Sequence, residues 1–89
     1  MRAAESGWSD DAPLVRRALK GDAKAWADLV DRYSPYVYSL LRSAGVAEAD
    51  QSDAFQYVFV ELFRFLPSLK SSDRLAPWIR KTALRRAIR

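Results

Sequence analysis

Apolar residues recur three and four positions apart along each long segment of the chain, and no segment alternates between apolar and polar positions. The first pattern places one face of an α-helix against a core, whereas a half-buried β-strand requires the second. The sequence therefore predicts an all-α protein, a compact bundle of three to four helices. The segment from Phe55 to Val60 is apolar enough for a strand, but its length and spacing favour a helix.

Capping residues, glycines and one proline set the limits of the first two predicted helices. The first helix starts near residues 9–11 and ends at Gly21. Asp22 can cap the free amides of the second helix, which Gly45 terminates. Inside that helix Pro35 predicts a kink, because proline lacks the amide and clashes with the preceding turn.

The third and fourth predicted helices flank a polar loop. Asp50, with Asp53 three residues later in a box-like arrangement, predicts the start of the third helix, which ends at Pro67. Residues 67–73 are rich in turn-forming side chains and are predicted to be the loop. The fourth helix begins about Asp73.

The apolar faces of these helices form the predicted core. Its members in the first two helices are Leu14, Val15, Ala18, Leu19, Trp26, Leu29, Val30, Tyr33, Val37, Leu40, Leu41 and Ala44. Its members in the last two are Ala54, Phe55, Val58, Phe59, Leu62, Phe63, Leu75, Ile79 and Ala83. This core suffices for one domain, so residues 12–89 are predicted to be helical domain and residues 1–11 a polar N-terminal segment.

Composition removes several kinds of chemistry. The chain has no cysteine and no histidine, the residues on which most metal sites and nucleophile–base pairs depend. No cofactor is expected, and an enzyme is the least favoured class. The chain also has neither an apolar run of about 18 residues nor a signal-like N-terminus, so a cytoplasmic protein without membrane insertion is expected.

Charge is distributed unevenly along the chain. Residues 1–63 carry seven basic and ten acidic side chains, whereas residues 64–89 carry eight basic and one acidic. A basic end is typical of elements that bind polyanions, although it can also be a solvated face. The basic stripe predicted on the fourth helix consists of Arg74, Trp78, Lys81, Arg85 and Arg89.

Four short motifs occur in a characteristic order. They are Gly21-Asp22, the RYSPYVY motif at residues 32–38, a D-x-x-D-x-x-Q-x-x-F pattern from Asp50 to Phe59, and Trp78-Ile79. In this order and spacing the chain resembles, over about residues 12–89, the second conserved region of bacterial RNA polymerase sigma factors of the extracytoplasmic-function group. The resemblance implies a non-catalytic domain of transcription initiation. Because the last helix reaches Arg89 without a capping residue, a further promoter-binding domain is expected beyond it.

The resemblance implies that the third helix binds core RNA polymerase, on the coiled-coil clamp of its largest subunit. The polar positions that match the family's contact motif are Asp53 and Gln56. Tyr57 stands where the family commonly has an acid, so the contact is expected to be less acidic and more aromatic. Asp53 could also satisfy free amides at the start of the helix.

The resemblance further implies that the loop before the fourth helix, residues 68–74, holds flipped bases of the non-template single strand at the minus-ten promoter element. Short hydroxyls can read base edges, while cations and aromatic rings follow a single strand. The predicted DNA-binding residues are Ser68, Lys70, Ser71, Ser72, Asp73, Arg74, Trp78, Lys81, Arg85 and Arg89. The alternatives are a solvated polar turn for the loop and a core position for Trp78.

Two other functions stay open on the residues alone. The fourth helix could enter the major groove of duplex DNA as a recognition helix. Alternatively, the bundle could be a protein-interaction module whose basic stripe binds an acidic partner or an anionic membrane surface. The promoter sequence, and whether an anti-sigma factor binds the domain, are also left open.

Overall fold

The computed structural model describes residues 11–69 and 71–88, and these ranges hold α-helices and 3-10 turns but no strand. The helices are α1 (Asp11–Leu19), α2 (Ala23–Ser43), α3 (Glu48–Phe65) and α4 (Leu75–Ile88). Two 3-10 turns, Leu66–Ser68 and Ser72–Arg74, lie between α3 and α4. The all-α prediction is confirmed. The turns bracket the predicted loop, and α4 begins slightly later than expected because the second turn precedes it.

The predicted cap of α2 is confirmed. The Asp22 carboxylate accepts hydrogen bonds from the backbone amides of Lys24 at 3.0 Å and Ala25 at 3.2 Å. The Ala25 amide, together with the Arg17 guanidinium 3.3 Å away, lowers the pKa of Asp22 below its ordinary value. Gly21 adopts φ +91°, a left-handed conformation that suits glycine and separates α1 from α2.

The predicted start of α3 is wrong. The helix begins at Glu48, and its N-cap is Ala47, which has no side-chain capping bond. Glu48 and Asp50 instead lie in the first turn, where negative charge favours the positive end of the helix dipole. Asp53 lies beyond the four free amides of the helix start, so it is not part of a capping box.

Helix α2 continues through Pro35. The amide that Pro35 lacks would have bonded to the carbonyl of Asp31, which is an exposed residue where water can replace the missing donor. Ser34 adds a hydrogen bond from its Oγ to the Val30 carbonyl at 2.6 Å. The proline therefore does not terminate the helix, and the bend at this point stays a prediction.

The predicted core is largely confirmed. Residues from all four helices are buried together, including Leu14, Val15, Leu29, Val37, Leu41, Val58, Leu62, Leu75 and Ile79. Three predicted members are exposed instead: Leu19 and Ala44 at helix ends, and Phe63, which is 64% exposed. Phe63 follows buried Leu62 and is therefore turned about 100° away from it around α3. Small residues that the pattern missed are buried as well, namely Ala25, Ala76 and Thr82.

A buried carboxylate fixes the N-terminal end of α1. Asp11 is fully buried, the Tyr33 hydroxyl donates a hydrogen bond to its carboxylate, and Arg32 Nε lies 3.1 Å from its Oδ1. Burial, followed by the contact with this carboxylate, raises the pKa of Tyr33 well above its usual range. The helix begins at Asp11, within the predicted range of residues 9–11, but the sequence did not predict that this side chain is buried. The first two residues of the RYSPYVY motif thus tie α2 to α1.

Candidate nucleic-acid and protein interfaces

The predicted basic stripe follows two adjoining grooves from Arg74 to Arg85. Arg74, Trp78 and Lys81 line one groove, together with Phe65 and Pro77. A second groove shares Pro77 and Lys81 with the first. It continues along α4 past Arg80, Leu84, Arg85 and Ile88. We refer to Arg74, Trp78, Lys81 and Arg85 as the cationic stripe; Arg89, predicted to extend it, and Lys70 lie outside the described residues.

Trp78 lies partly in the interior and partly on the surface. The residue is half-buried, and its ring stacks on Phe65 with 4.8 Å between the ring centroids and 8° between the planes. It therefore packs against the C-terminal end of α3 and also lines the groove that contains Arg74 and Lys81. Such an aromatic platform between cations suits an unpaired base and its phosphates. Phe65, which sequence reasoning had not assigned to the site, supports this platform.

The 68–74 loop has two sides. Ser71 and Ser72 line a groove of about 340 Å³ between the loop and α1. Arg74, by contrast, lines the groove that contains Trp78. Asp73 accepts a hydrogen bond from the Ser71 hydroxyl, and Ser68 is exposed in the first 3-10 turn. Ser71 and Ser72 thus face α1, whereas Arg74 belongs to the groove that contains Trp78.

The three predicted polymerase-binding residues are exposed on α3, but they line different surfaces. Asp53 faces a polar groove that also contains Asp50 and Arg86. The Arg86 guanidinium lies 5.6 Å from the centroid of the Tyr57 ring. Gln56 lines a separate groove between α2 and α3. The structure therefore does not join Asp53 and Gln56 into one pocket.

The groove beside Gln56 is mostly apolar and has a volume of about 490 Å³. We call it the apolar groove; its lining residues are Trp26, Val30, Phe55, Gln56, Phe59, Val60, Phe63 and Arg64. Val60 is 53% exposed, and Phe63 packs edge-on against Trp26 at 5.3 Å. A clustered exposed apolar surface marks an interaction site more often than a scattered one. Sequence reasoning missed this surface because it had placed Phe63 in the core.

Other kinds of site find little support in the part of the chain that the structure describes. Within residues 11–69 and 71–88, acidic side chains form no group of three or more that could hold a metal ion. None of the helices described is both long and apolar enough to cross a membrane. The described residues form a small helical domain that presents an apolar groove and a cationic stripe.

A family model, Sigma-70 region 2, matches residues 29–89. The chain belongs to this family, and its relatives place it in the extracytoplasmic-function (ECF) group, which confirms the resemblance seen in its motifs. The match covers α3, α4 and most of α2. Helix α1 lies outside it.

Curated relatives are sigma factors. RNA polymerase sigma factor NccH of Alcaligenes xylosoxydans xylosoxydans is 34% identical over 76 residues, which are 85% of this chain and 41% of that protein. ECF RNA polymerase sigma-E factor of Escherichia coli (strain K12) is 36% identical over 77 residues, 86% of this chain and 40% of that protein. The chain thus spans about two fifths of the length of these relatives.

A solved structure has the same fold. It is the NMR structure of an engineered region 2 of sigmaE in complex with GTAAAA, with a TM-score of 0.78 and 35% sequence identity. The similarity covers 88% of this chain and 81% of that one.

Proposed function

We propose that this domain engages the promoter as part of a sigma factor. It binds core RNA polymerase through the exposed surface of α3 and holds the non-template strand of the minus-ten element with the 68–74 loop and α4. The observation that carries the proposal is the presence of two separate surfaces, one apolar and one cationic and aromatic, in a chain of the sigma-70 region 2 family. The role is one of binding, without catalysis, and belongs to the cytoplasm, where polymerase and promoters lie.

The DNA side of the proposal is supported by the chemistry of the cationic stripe. Lys81 and Arg85 are exposed cations one helical turn apart, a spacing that suits successive phosphates. Trp78 offers a ring for stacking, and the loop serines offer short hydroxyls that can reach a base edge. The solved relative in complex with GTAAAA supports the same assignment. A further promoter-binding domain beyond Arg89 completes the proposed protein.

The polymerase side of the proposal is supported by the surface of α3. Gln56 is a polar residue in the lining of the apolar groove, and such a group gives direction to an otherwise apolar contact. Val60 and Phe63 supply apolar area that a protein partner would cover. Asp53 and Tyr57 extend the contact towards Arg86 and contribute more weakly in this proposal. An anti-sigma factor would be a competing partner of the domain.

Capture of core RNA polymerase of Escherichia coli by this chain tests the proposal. We expect the largest subunit to be retained directly. Asp53→Ala combined with Gln56→Ala should weaken the affinity by about 2 kcal/mol or more, as for polar groups at the centre of an interface. The two single variants test the two grooves separately. Gln56→Ala should account for most of the loss of polymerase affinity. Asp31→Ala, which removes an exposed acid from α2, is the matched control.

The same complex should then bind GTAAAA more tightly as a single strand than as a duplex. Circular dichroism of each variant checks that the helices are intact. A stronger affinity for the duplex would favour a recognition helix in the major groove instead. Failure to retain polymerase, together with failure to bind either form of DNA, would leave a protein-interaction module and contradict the proposal.

A further inference from the structure

Helix α1 forms one wall of the groove beside the 68–74 loop. Val15, Arg16 and Leu19 of α1 face Leu69, Ser71 and Ser72 across a volume of about 340 Å³. The helix also contacts both 3-10 turns that bracket the loop, in addition to its main contact with α2. The conformation of the loop therefore depends on where α1 lies.

The position of α1 depends in turn on its tertiary contacts. The helix has nine residues, and an isolated helix of that length is unstable in water. Leu14 and Val15 bury its apolar side, which fixes its depth against the core. Apolar packing alone permits sliding and rotation more readily than a directional contact does. A directional contact at its N-terminal end joins Asp11 to Arg32 and Tyr33.

This contact, which we call the Asp11 anchor, is suited to fixing the position of α1 relative to α2. A fully buried carboxylate is costly unless its partners hold it in a favourable arrangement. The Tyr33 hydroxyl and the Arg32 guanidinium approach different oxygens of Asp11, so a shift of α1 along or around α2 would disturb both contacts. A buried pair of this kind adds little stability compared with apolar packing, and its best-established use is to fix register.

We propose that the Asp11 anchor positions the 68–74 loop for its contact with DNA. By fixing α1 as the wall of the groove, the anchor sets the spacing between that wall and Ser71 and Ser72, and with it the preference of the loop for one base. Asp11 and Tyr33 are thus positioning residues that act through α1. The identity of the ligand rests on the proposed function. The role assigned to α1 lies outside the segment that the family model covers.

Tyr33→Phe tests the proposal because it removes the hydroxyl and keeps the ring. Two quantities are measured on the 89-residue chain: the backbone amide NMR signals of Leu69, Ser71 and Ser72, and the ratio of affinities for GTAAAA and its single-base variants. We expect the amide signals to shift and the ratio to change at one base position by about fivefold or more, the lower end of what one base contributes. Asp11→Asn should act in the same direction and more strongly.

Tyr38→Phe is the matched control. It makes the same substitution on the same helix, but the Tyr38 ring stacks on Phe55 of α3 at 4.6 Å rather than approaching α1. It should leave the loop amides and the affinity ratio unchanged. Leu19→Ala is the positive comparison, because it alters the wall directly while removing a side chain that is 46% exposed. It should change the preference at the same base position as Tyr33→Phe.

The proposal is overturned if Tyr33→Phe lowers the unfolding temperature but leaves the loop amides and the affinity ratio as they are in Tyr38→Phe. The anchor would then stabilise the fold without positioning the loop. If Asp11→Asn does not fold, Tyr33→Phe alone decides. If the unmodified chain binds none of the oligonucleotides, the proposed function fails, and the amide signals still decide whether the anchor positions the loop.

Discussion

The apolar groove and the cationic stripe are both exposed helical surfaces, yet the forces by which they would bind a partner differ. The apolar groove exposes Trp26, Val60 and Phe63 to water. Covering this apolar area with a partner surface lowers the free energy. The cationic stripe places Lys81 and Arg85 in water, where they stay hydrated and attract anions over about one Debye length, near 8 Å at physiological salt. The first surface needs a close fit, whereas the second does not.

This difference supports the proposed assignment of one partner to each surface. A folded protein can present the complementary shape that the apolar groove requires, and α2 and α3 form walls that are long enough to hold that shape. A single strand of DNA is flexible and carries a regular series of negative charges. It matches a helix such as α4, which carries four basic and no acidic residues. The same small fold thereby separates contacts governed by shape from contacts governed by charge.

Removing the exposed ring of Phe63 should produce the largest effect. Phe63→Ala should weaken binding of core RNA polymerase by about 2 kcal/mol or more, as for an aromatic residue at the centre of an interface. The unfolding free energy should change much less, because the side chain is 64% exposed in the free domain. Surface plasmon resonance with immobilised polymerase, together with thermal unfolding of each variant, measures both quantities.

Ile88→Ala is the control for that experiment. Ile88 is 84% exposed on α4, so it is an apolar residue of similar accessibility beside the cationic stripe. Polymerase affinity should stay close to that of the unmodified chain. An equal loss from Phe63→Ala and Ile88→Ala would mean that exposed apolar area in general, rather than the apolar groove, determines the contact.

The second prediction concerns the charges of the stripe. Lys81→Gln combined with Arg85→Gln should reduce the slope of log affinity for GTAAAA against log salt by about 1.4, since each lost phosphate contact on a single strand contributes about 0.7. Polymerase affinity should not change. Lys20→Gln with Arg42→Gln, two exposed cations elsewhere, makes the same change in net charge. If both pairs reduce the slope equally, net charge rather than the stripe attracts the DNA.

The sequence predicts the helices and the stripe because both depend on spacing within one element. Trp78, Lys81 and Arg85 share a face whenever the segment is helical, whatever surrounds it. The start of α3 was harder to locate, because its first turn has acidic residues that favour the dipole but no side-chain cap. Spacing identifies a face of a helix, but it does not fix the exact residue at which the helix begins.

Features that depend on two elements could not be predicted in the same way. Asp11 and Tyr33 are 22 residues apart, and only the packing of α1 on α2 brings them together. The apolar groove requires α2 and α3 to lie side by side with no other element of residues 11–69 and 71–88 above them. The exposure of Phe63 follows from that open space, whereas its apolar character alone suggested burial. Helical periodicity indicates which residues could be buried, and only the tertiary arrangement decides which are covered.

Substitution of Arg86 should produce the smallest effect, because this residue belongs to α4 but faces α3. Its guanidinium lies 5.6 Å from the centroid of the Tyr57 ring, and it lines the polar groove that contains Asp53. Arg86→Gln should lower the unfolding free energy by only about 0.5–1 kcal/mol, the usual contribution of a cation–π contact near the surface. Arg86→Lys, which keeps the charge, should recover part of this loss. The salt dependence of GTAAAA binding should stay unchanged in both variants, because Arg86 does not lie on the cationic stripe. A slope reduced by about 0.7, the contribution expected of one phosphate contact, would show instead that the DNA path crosses α4 towards α3, and that the two surfaces are not separate.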